Sequence, residues 1–545
     1  MRACVFAFGV ATALTILGAG AVSAPSSSSS SSALPAYGRL EVFALSRVPG
    51  SISAGHGTVA AGTLGRADFN GDGLVDVVVA RALGGPPVAA QDTFPIGILL
   101  NDGKGRLLDR PARIFEGRQP RNQWVRQLVV ADFNGDGRPD VFLPDTGPEA
   151  PNYGPPPGRH DTLILSTPRG RLRDATAGIP QQAAFTHSAA AGDVDGDGDL
   201  DLFVGNIGGD VGGSGSCCDV QIWLNDGRGA FAVAADRLPP KLGTVDVYLS
   251  SAFTDVDGDR DADLVLAGGH GCALPNHTQR NDQQVLLNDG RGFFRILPGA
   301  LPQKPFGIAG EGQAVVPADL DRDGRVDLLL AYTSARQRAP DDCVSNFVFG
   351  RYVQVLMGNG DGTFRDETAS RLPQPDLHGA SRAFYLALDL DDLDGDGRPE
   401  LFTQLLIPPN DRPAYAPAFR NDGRGSFRPL PPGYPVSSLD TNMHAFVDLF
   451  GTGRRDVFLV TWSRRGDLFS RRLQRGKAIR PGPPAGVRVT TDPASGRRVV
   501  AWPYVWGAAR YEVWRDGRRV AGTKLMRWVD TAAPPGARYA VRALN

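Results

Sequence analysis

Six short segments place oxygen-bearing side chains at positions one, three, five and nine of a loop. They are Asp68, Asn70, Asp72 and Asp76; Asp132, Asn134, Asp136 and Asp140; Asp193, Asp195, Asp197 and Asp201; Asp255, Asp257, Asp259 and Asp263; Asp319, Asp321, Asp323 and Asp327; and Asp392, Asp394, Asp396 and Glu400. A seventh copy, Asp448, Phe450, Thr452 and Asp456, has lost two of its oxygens. Side chains at this spacing present hard oxygens to one point, and a backbone carbonyl near position seven adds another, which suits Ca²⁺. Glycine at position six lets the chain turn sharply; Arg260 replaces it in the fourth loop. Without a cation, carboxylates this close repel one another. A solvated acidic turn is the plain alternative, and six in-phase copies argue against it. The helix-loop-helix calcium hand is excluded, because it needs a Glu at position twelve, where this chain has Val79, Leu143, Val204, Leu266, Leu330 and Thr403.

The elements that must hold these loops are short strands. Val77-Val78-Val79, Val141-Phe142-Leu143, Leu202-Phe203-Val204, Leu264-Val265-Leu266, Leu328-Leu329-Leu330 and Val457-Phe458-Leu459 each follow a loop. Such runs read as strands buried on both faces. About thirty residues after most loops comes a second mark. It is Asn101-Asp102-Gly103, Asn225-Asp226-Gly227, Asn288-Asp289-Gly290, Asn359-Gly360-Asp361-Gly362 and Asn421-Asp422-Gly423, with Thr167-Pro168-Arg169-Gly170 in the second repeat. These tolerate positive φ and predict hairpin turns. The loop starts lie 64, 61, 62, 64, 73 and 56 residues apart, and a repeat of that length with about four strands predicts one propeller blade. A β-solenoid is the rival architecture, with a shorter period. Residues 38–49 resemble 229–239, the end of a repeat, so an N-terminal strand is expected to complete the last blade and remove an open edge.

With these marks in place, the chain resembles the FG-GAP/VCBS-type calcium propellers, akin to the propeller of integrin α subunits, over about residues 38–478. The resemblance implies an all-β fold, a seven-bladed β-propeller with structural calcium at the outer face of the ring. It implies up to six occupied loops, with the seventh degenerate and the fourth weakened by Arg260.

After Pro481-Gly482-Pro483-Pro484, residues 481–545 resemble a fibronectin type III domain, a small β-sandwich. Trp502 is expected in its core, Tyr539 matches the family's strand-F tyrosine, and the last strand is missing. At the other end, Arg2 and the apolar run Ala3–Leu17 read as an export signal over residues 1–24, followed by a serine-rich linker at 25–37. The alternative, a membrane anchor, suffers from the shortness of the run. Export leaves Cys217, Cys218, Cys272 and Cys343 in an oxidising compartment, where four cysteines allow three pairings.

No zinc-protease, nucleophile-elbow or phosphate-loop motif is present. His270, Cys272 and His277 share one loop, read as disulfide plus exposed histidine rather than zinc. His56, His187 and His444 precede acidic loops on inner strands and read as structural. Asn276-His277-Thr278 fits a glycosylation sequon. The formal net charge is −1, but the six loops hold 22 of the 59 acidic residues, leaving 37 against 58 Lys and Arg. Six calcium ions would move the charge to about +11, favouring anionic partners; evenly scattered arginine is the alternative. The expected function is a secreted, periplasmic or cell-surface calcium-binding module for an extracellular glycan or protein ligand. It is expected to be monomeric and non-catalytic, with no transmembrane segment after signal removal and no specific nucleic-acid partner. The rivals are a polysaccharide lyase or glycoside hydrolase, with His187 and His444 as candidates, and a structural surface-layer part.

Overall fold

The apolar runs that follow the acidic loops form the second strands of a series of antiparallel sheets, and those whose burial is described are fully buried. Val77, Val78, Val79, Leu202, Phe203, Val204, Leu328, Leu329 and Leu330 are each 0% exposed. The computed structural model describes residues 41–44, 58–84, 93–147, 158–206, 219–240, 242, 248–268, 283–303, 305, 310–334, 350–372, 384–392, 397–406, 418–429, 443–451, 455–460, 469–472, 484, 487–491, 497–502, 510–523 and 527–544. The signal and linker, His56, His270, His277, Asn276 and all four remaining cysteines lie outside them.

Six sheets follow one another along the chain. Sheet one holds Thr58–Ala67, Asp76–Gly84, Gly97–Asn101 and Leu107–Asp109 in that order. Sheet two holds Val129–Ala131, Asp140–Leu143, Thr162–Ser166 and Leu172–Asp174, with Phe115–Glu116 added parallel on the outside. Sheets three to six repeat the four-strand order from Thr186–Gly192, Tyr248–Thr254, Gly310–Ala318 and Phe384–Asp391. After them Met443–Val447 pairs with Asp456–Val460. The N-terminal strand Glu41–Ala44 pairs antiparallel with Phe469–Arg472, Glu41 opposite Arg472, as the likeness of residues 38–49 to the end of an internal repeat led one to expect.

The first strands stand side by side. Thr58–Ala67 adjoins Val129–Ala131, which adjoins Thr186–Gly192, and so on through Phe384–Asp391. Met443–Val447 adjoins both Glu400–Leu406 of sheet six and Thr58–Ala67 of sheet one. The apolar cores lie between successive sheets. One joins sheets one and two through Phe69, Val78, Val141 and Ile164. Another joins Leu64, Val77 and Leu99 of sheet one to Ala445, Val447 and Leu449. Each fully buried Val or Leu contributes about 1.5–3 kcal/mol, so every sheet depends on both neighbours. The protein is therefore an all-β, propeller-like assembly of small sheets packed face to face.

Five of the first strands carry a register shift at one shared place. The residue left out of the pairing is Gly62, His187, Leu249, Gln313 or Leu386. Each lies six residues before the first acid of its loop. A bulge bends and twists its strand, so this repeated defect sets the approach of the first strand to these five loops.

The C-terminal segment forms two three-stranded sheets. Arg488–Thr491, Arg498–Ala501 and Arg527–Asp530 make one; Arg518–Thr523, Arg510–Arg515 and Tyr539–Leu544 make the other. Trp502, 4% exposed, packs between them with Val500, Tyr511 and Val541, and its ring meets Tyr511 edge-on at 5.4 Å. The Tyr539 hydroxyl donates to Asp530 Oδ2 at 2.7 Å.

Candidate metal centres

Every acidic loop joins the first two strands of a sheet, and its backbone is shaped by its own carboxylates. In loop one, Gly71 and Asp72 donate their N–H groups to Asp68 Oδ1 at 2.7 and 3.0 Å, and Gly73 donates to Oδ2 at 2.7 Å. The same first-to-sixth contact recurs as Gly137 to Asp132, Arg260 to Asp255, Gly324 to Asp319 and Gly397 to Asp392. The sixth residue needs positive φ for this turn: Gly73 has +93°, Gly137 +86° and Gly198 +98°. Arg260 takes φ +79° at that place, a conformation that costs an L-residue about 1–2 kcal/mol. Arg322 does the same at position four, φ +65°, where the other described loops have glycine.

The loops differ in how tightly they gather their acids. In loop four Asp255, Asp257, Asp259 and Asp263 each bring a carboxylate oxygen within 4.8 Å of the others. Asp193, Asp195 and Asp197 do so in loop three, and Asp319, Asp321 and Asp327 in loop five. Asp323 turns aside to pair with Arg325. In loop one the Asn70 amide donates to Asp72 at 3.0 Å. In loop two the Ser166 hydroxyl draws Asp136 toward itself at 3.0 Å. Asp392 and Glu400 belong to loop six, whose Asp394 and Asp396 lie outside the described residues, as does Thr452 of loop seven.

The ninth position has a second role that a ligand pattern alone does not reveal. Both oxygens of this acid accept backbone N–H groups. Asp76 takes Phe69 N at 3.0 Å and Asn101 N at 2.8 Å. Asp201 takes Val194 N at 3.0 Å and Asn225 N at 2.8 Å. Asp263 takes Val256 N and Asn288 N, both at 2.9 Å. Asp140 and Asp327 repeat the pair. Asp456 still receives Leu449 N at 3.1 Å although its loop has lost two oxygens. This acid therefore ties its loop to the hairpin turn of its own sheet, whether or not a metal binds.

The turns then reach the preceding loop. The Asn225 amide donates to Phe133 O at 2.8 Å, and that of Asn288 to Val194 O at 2.7 Å. Gly362 N donates to Val256 O at 3.2 Å, and Gly105 N to Leu449 O at 2.8 Å.

Burial and crowding raise these carboxyl groups. Asp68 is pushed up to about 6, chiefly by burial. Asp201 and Asp263 rise to about 7 and Asp327 to about 6, burial again leading and neighbouring loop acids adding to it. Groups that resist ionising because they are packed together are the environment that a bound divalent cation relieves. The donor set, all hard oxygen, fits Ca²⁺ or Mg²⁺ rather than a thiophilic metal.

The two candidate catalytic histidines are both buried. His187 is 0% exposed and packs its ring 4.4 Å from Phe185; burial, helped by Arg126, holds it well below the usual imidazole range. His444 meets Phe402 edge-on and Phe446 at a tilt, and is pushed down to about 4 by burial.

A β-rich chain of successive small sheets with in-phase acidic loops defines the class, and the repeats themselves are recognisable. The chain carries FG-GAP-like repeats: residues 68–143 and 255–330 match the model of that repeat. Among curated proteins it is similar to cartilage acidic protein 1 of Mus musculus, 27% identical over 241 residues, 42% of this chain and 33% of the relative. The Homo sapiens protein of that name is 26% identical over 241 residues, 42% of this chain and 32% of the relative. The match thus spans about a third of each relative's length.

Proposed function

We propose that the chain is an exported, calcium-loaded propeller of seven blades that binds an extracellular glycan or protein ligand and catalyses no reaction. The observation that carries the calcium reading is loop four, where four carboxylates converge within 4.8 Å. The seventh blade is the set of Met443–Val447, Asp456–Val460, Phe469–Arg472 and Glu41–Ala44, the middle two adjacent in space. FG-GAP-like repeats support an extracellular ligand-binding or adhesion module. The absence, among the described residues, of a helix long and apolar enough to cross a membrane is compatible with export. The C-terminal sandwich, with Trp502 in its core, is read as a fibronectin type III-like spacer. Once its loops are filled the protein becomes cationic, so anionic glycans are the favoured ligands.

Calorimetric calcium titration of the full chain tests the first half of this reading. Uptake of at least three ions is expected, matching the three converged loops, with a melting temperature that rises on loading. Equal stability in calcium and in excess EDTA overturns it. A glycan array with and without chelator, run beside an assay for unsaturated sugar products, tests the second half. Product release identifies an enzyme instead.

A further inference from the structure

The joint where the chain of sheets closes has a degenerate loop, with Phe450 and Thr452 at two ligand positions. Four charged residues depart from the repeat in this neighbourhood. Two residues before its loop, sheet one has Arg66 where the other repeats have Val130, Ala191, Phe253, Pro317, Leu390 or Phe446. Asp389 and Asp391 stand three and one residues before loop six, and every other repeat is uncharged at both places. Arg455 is the eighth residue of loop seven, where the others have Val75, Pro139, Leu200, Ala262, Val326 or Pro399.

The fold brings all four together. Arg66 Nη1 lies 2.8 Å from Asp391 Oδ2, its Nη2 lies 3.6 Å from Asp389 Oδ1, and Nη1 also donates to Phe446 O at 3.0 Å. Arg455 pairs with the other oxygen of Asp391. None of the four side chains is more than 8% exposed. Two cations balance two anions, and they link sheet one, sheet six and the closing strand Met443–Val447.

We propose that this network is a metal-independent clasp, the counterpart at the closing joint of the calcium loops elsewhere. Calcium withdrawal then loosens the loops and leaves the joint shut, whereas loss of one charge opens the joint with the loops still loaded. The contrast with the loops rests on the calcium reading; the clasp itself does not. A buried pair with one partner removed strands a charge, while removal of both partners is tolerated.

Hydrogen exchange of the full chain, read on peptides covering 58–67, 248–254, 255–263 and 443–447, tests this. In EDTA the wild type is expected to exchange faster at 255–263 and within about twofold of its loaded rate at 443–447. Arg66→Met in calcium is expected to speed exchange at 58–67 and 443–447 by at least about tenfold, with 248–254 unchanged. The variant Arg66→Met/Asp389→Leu/Asp391→Leu/Arg455→Met, which strands no charge of the network, is expected to recover most of that protection, and it serves if the single variant does not fold. Unchanged exchange at 443–447 in Arg66→Met, or a rise there in EDTA as large as in the loops, overturns the clasp. A chelator that loosens no loop refutes the calcium reading and leaves the clasp to be judged by the variants.

Discussion

Loop four allows the structural and metal-binding roles of one motif to be separated. Asp263→Ala removes a carboxylate whose two oxygens each hold a backbone N–H at 2.9 Å, from Val256 and Asn288. Hydrogen bonds to a charged acceptor contribute about 1.5–3 kcal/mol each, and buried donors left unpaired add to the loss, so about 3–5 kcal/mol is expected. Burial raises Asp263 to about 7, which places the figure toward the lower end near neutral pH. The loss arises from the hydrogen bonds, so it is expected in EDTA as well as in calcium. Asp257→Ala removes an acid whose Oδ1 accepts the more distant Asp259 N at 3.3 Å. Its loss is expected to be within about 0.5 kcal/mol in EDTA, because a repelling neighbour is also removed, and to appear only in calcium. The amides of Val256 and Asn288 report directly through their exchange protection, followed by NMR with and without chelator. If Asp263→Ala leaves those amides protected in EDTA, or Asp257→Ala exposes them equally there, the assignment of the two roles is wrong.

Three further outcomes are expected. Arg260→Gly relieves a positive φ and should stabilise loop four by about 1 kcal/mol, seen as a raised denaturation midpoint and tighter calcium uptake in calorimetry. Asp161, held by Asp145 N at 2.9 Å and the Thr186 hydroxyl at 3.3 Å, is pushed up to about 8 by burial. Its folded-state value lies above its unfolded one, so the stability contributed by the protonated form is present below about pH 4 and is lost as pH rises to about 8; Asp161→Asn should flatten the fall in denaturation midpoint between about pH 4 and 8. Arg488 of the C-terminal sandwich reaches Asp193 Oδ2 of loop three at 2.9 Å while remaining 48% exposed. Arg488→Ala should therefore change stability by no more than about 1 kcal/mol and strengthen calcium uptake at loop three, measured by titration of a variant with the other loops disabled.

Much of this architecture could be read from the chain. Loop spacing, the Asn-Asp-Gly turns and the runs after each loop are local signals, and each turn glycine does adopt positive φ, as Gly227 and Gly290 do at +73° and +74°. The closing strand was legible because 38–49 resembles an internal segment. What was hidden depends on register or on distant neighbours. Apart from Arg260 and the Asn at position three of loops one and two, the six loops look alike as text, yet Ser166 and Arg325 draw Asp136 and Asp323 out of their clusters. The bulge at His187 has no residue signature, since Gly62 and Leu249 occupy the same place. Arg66 and Asp391 are 325 residues apart, and no local pattern announces their meeting.

The contacts between turns and loops run in series. A loop's second residue is held by its own ninth acid and by the next sheet's turn, which is itself held by the next ninth acid. Along loops two to five these links make one continuous belt at one end of the sheets. A belt of this kind shares load, so distortion at any bead is passed to the beads on either side before it reaches the sheets beneath.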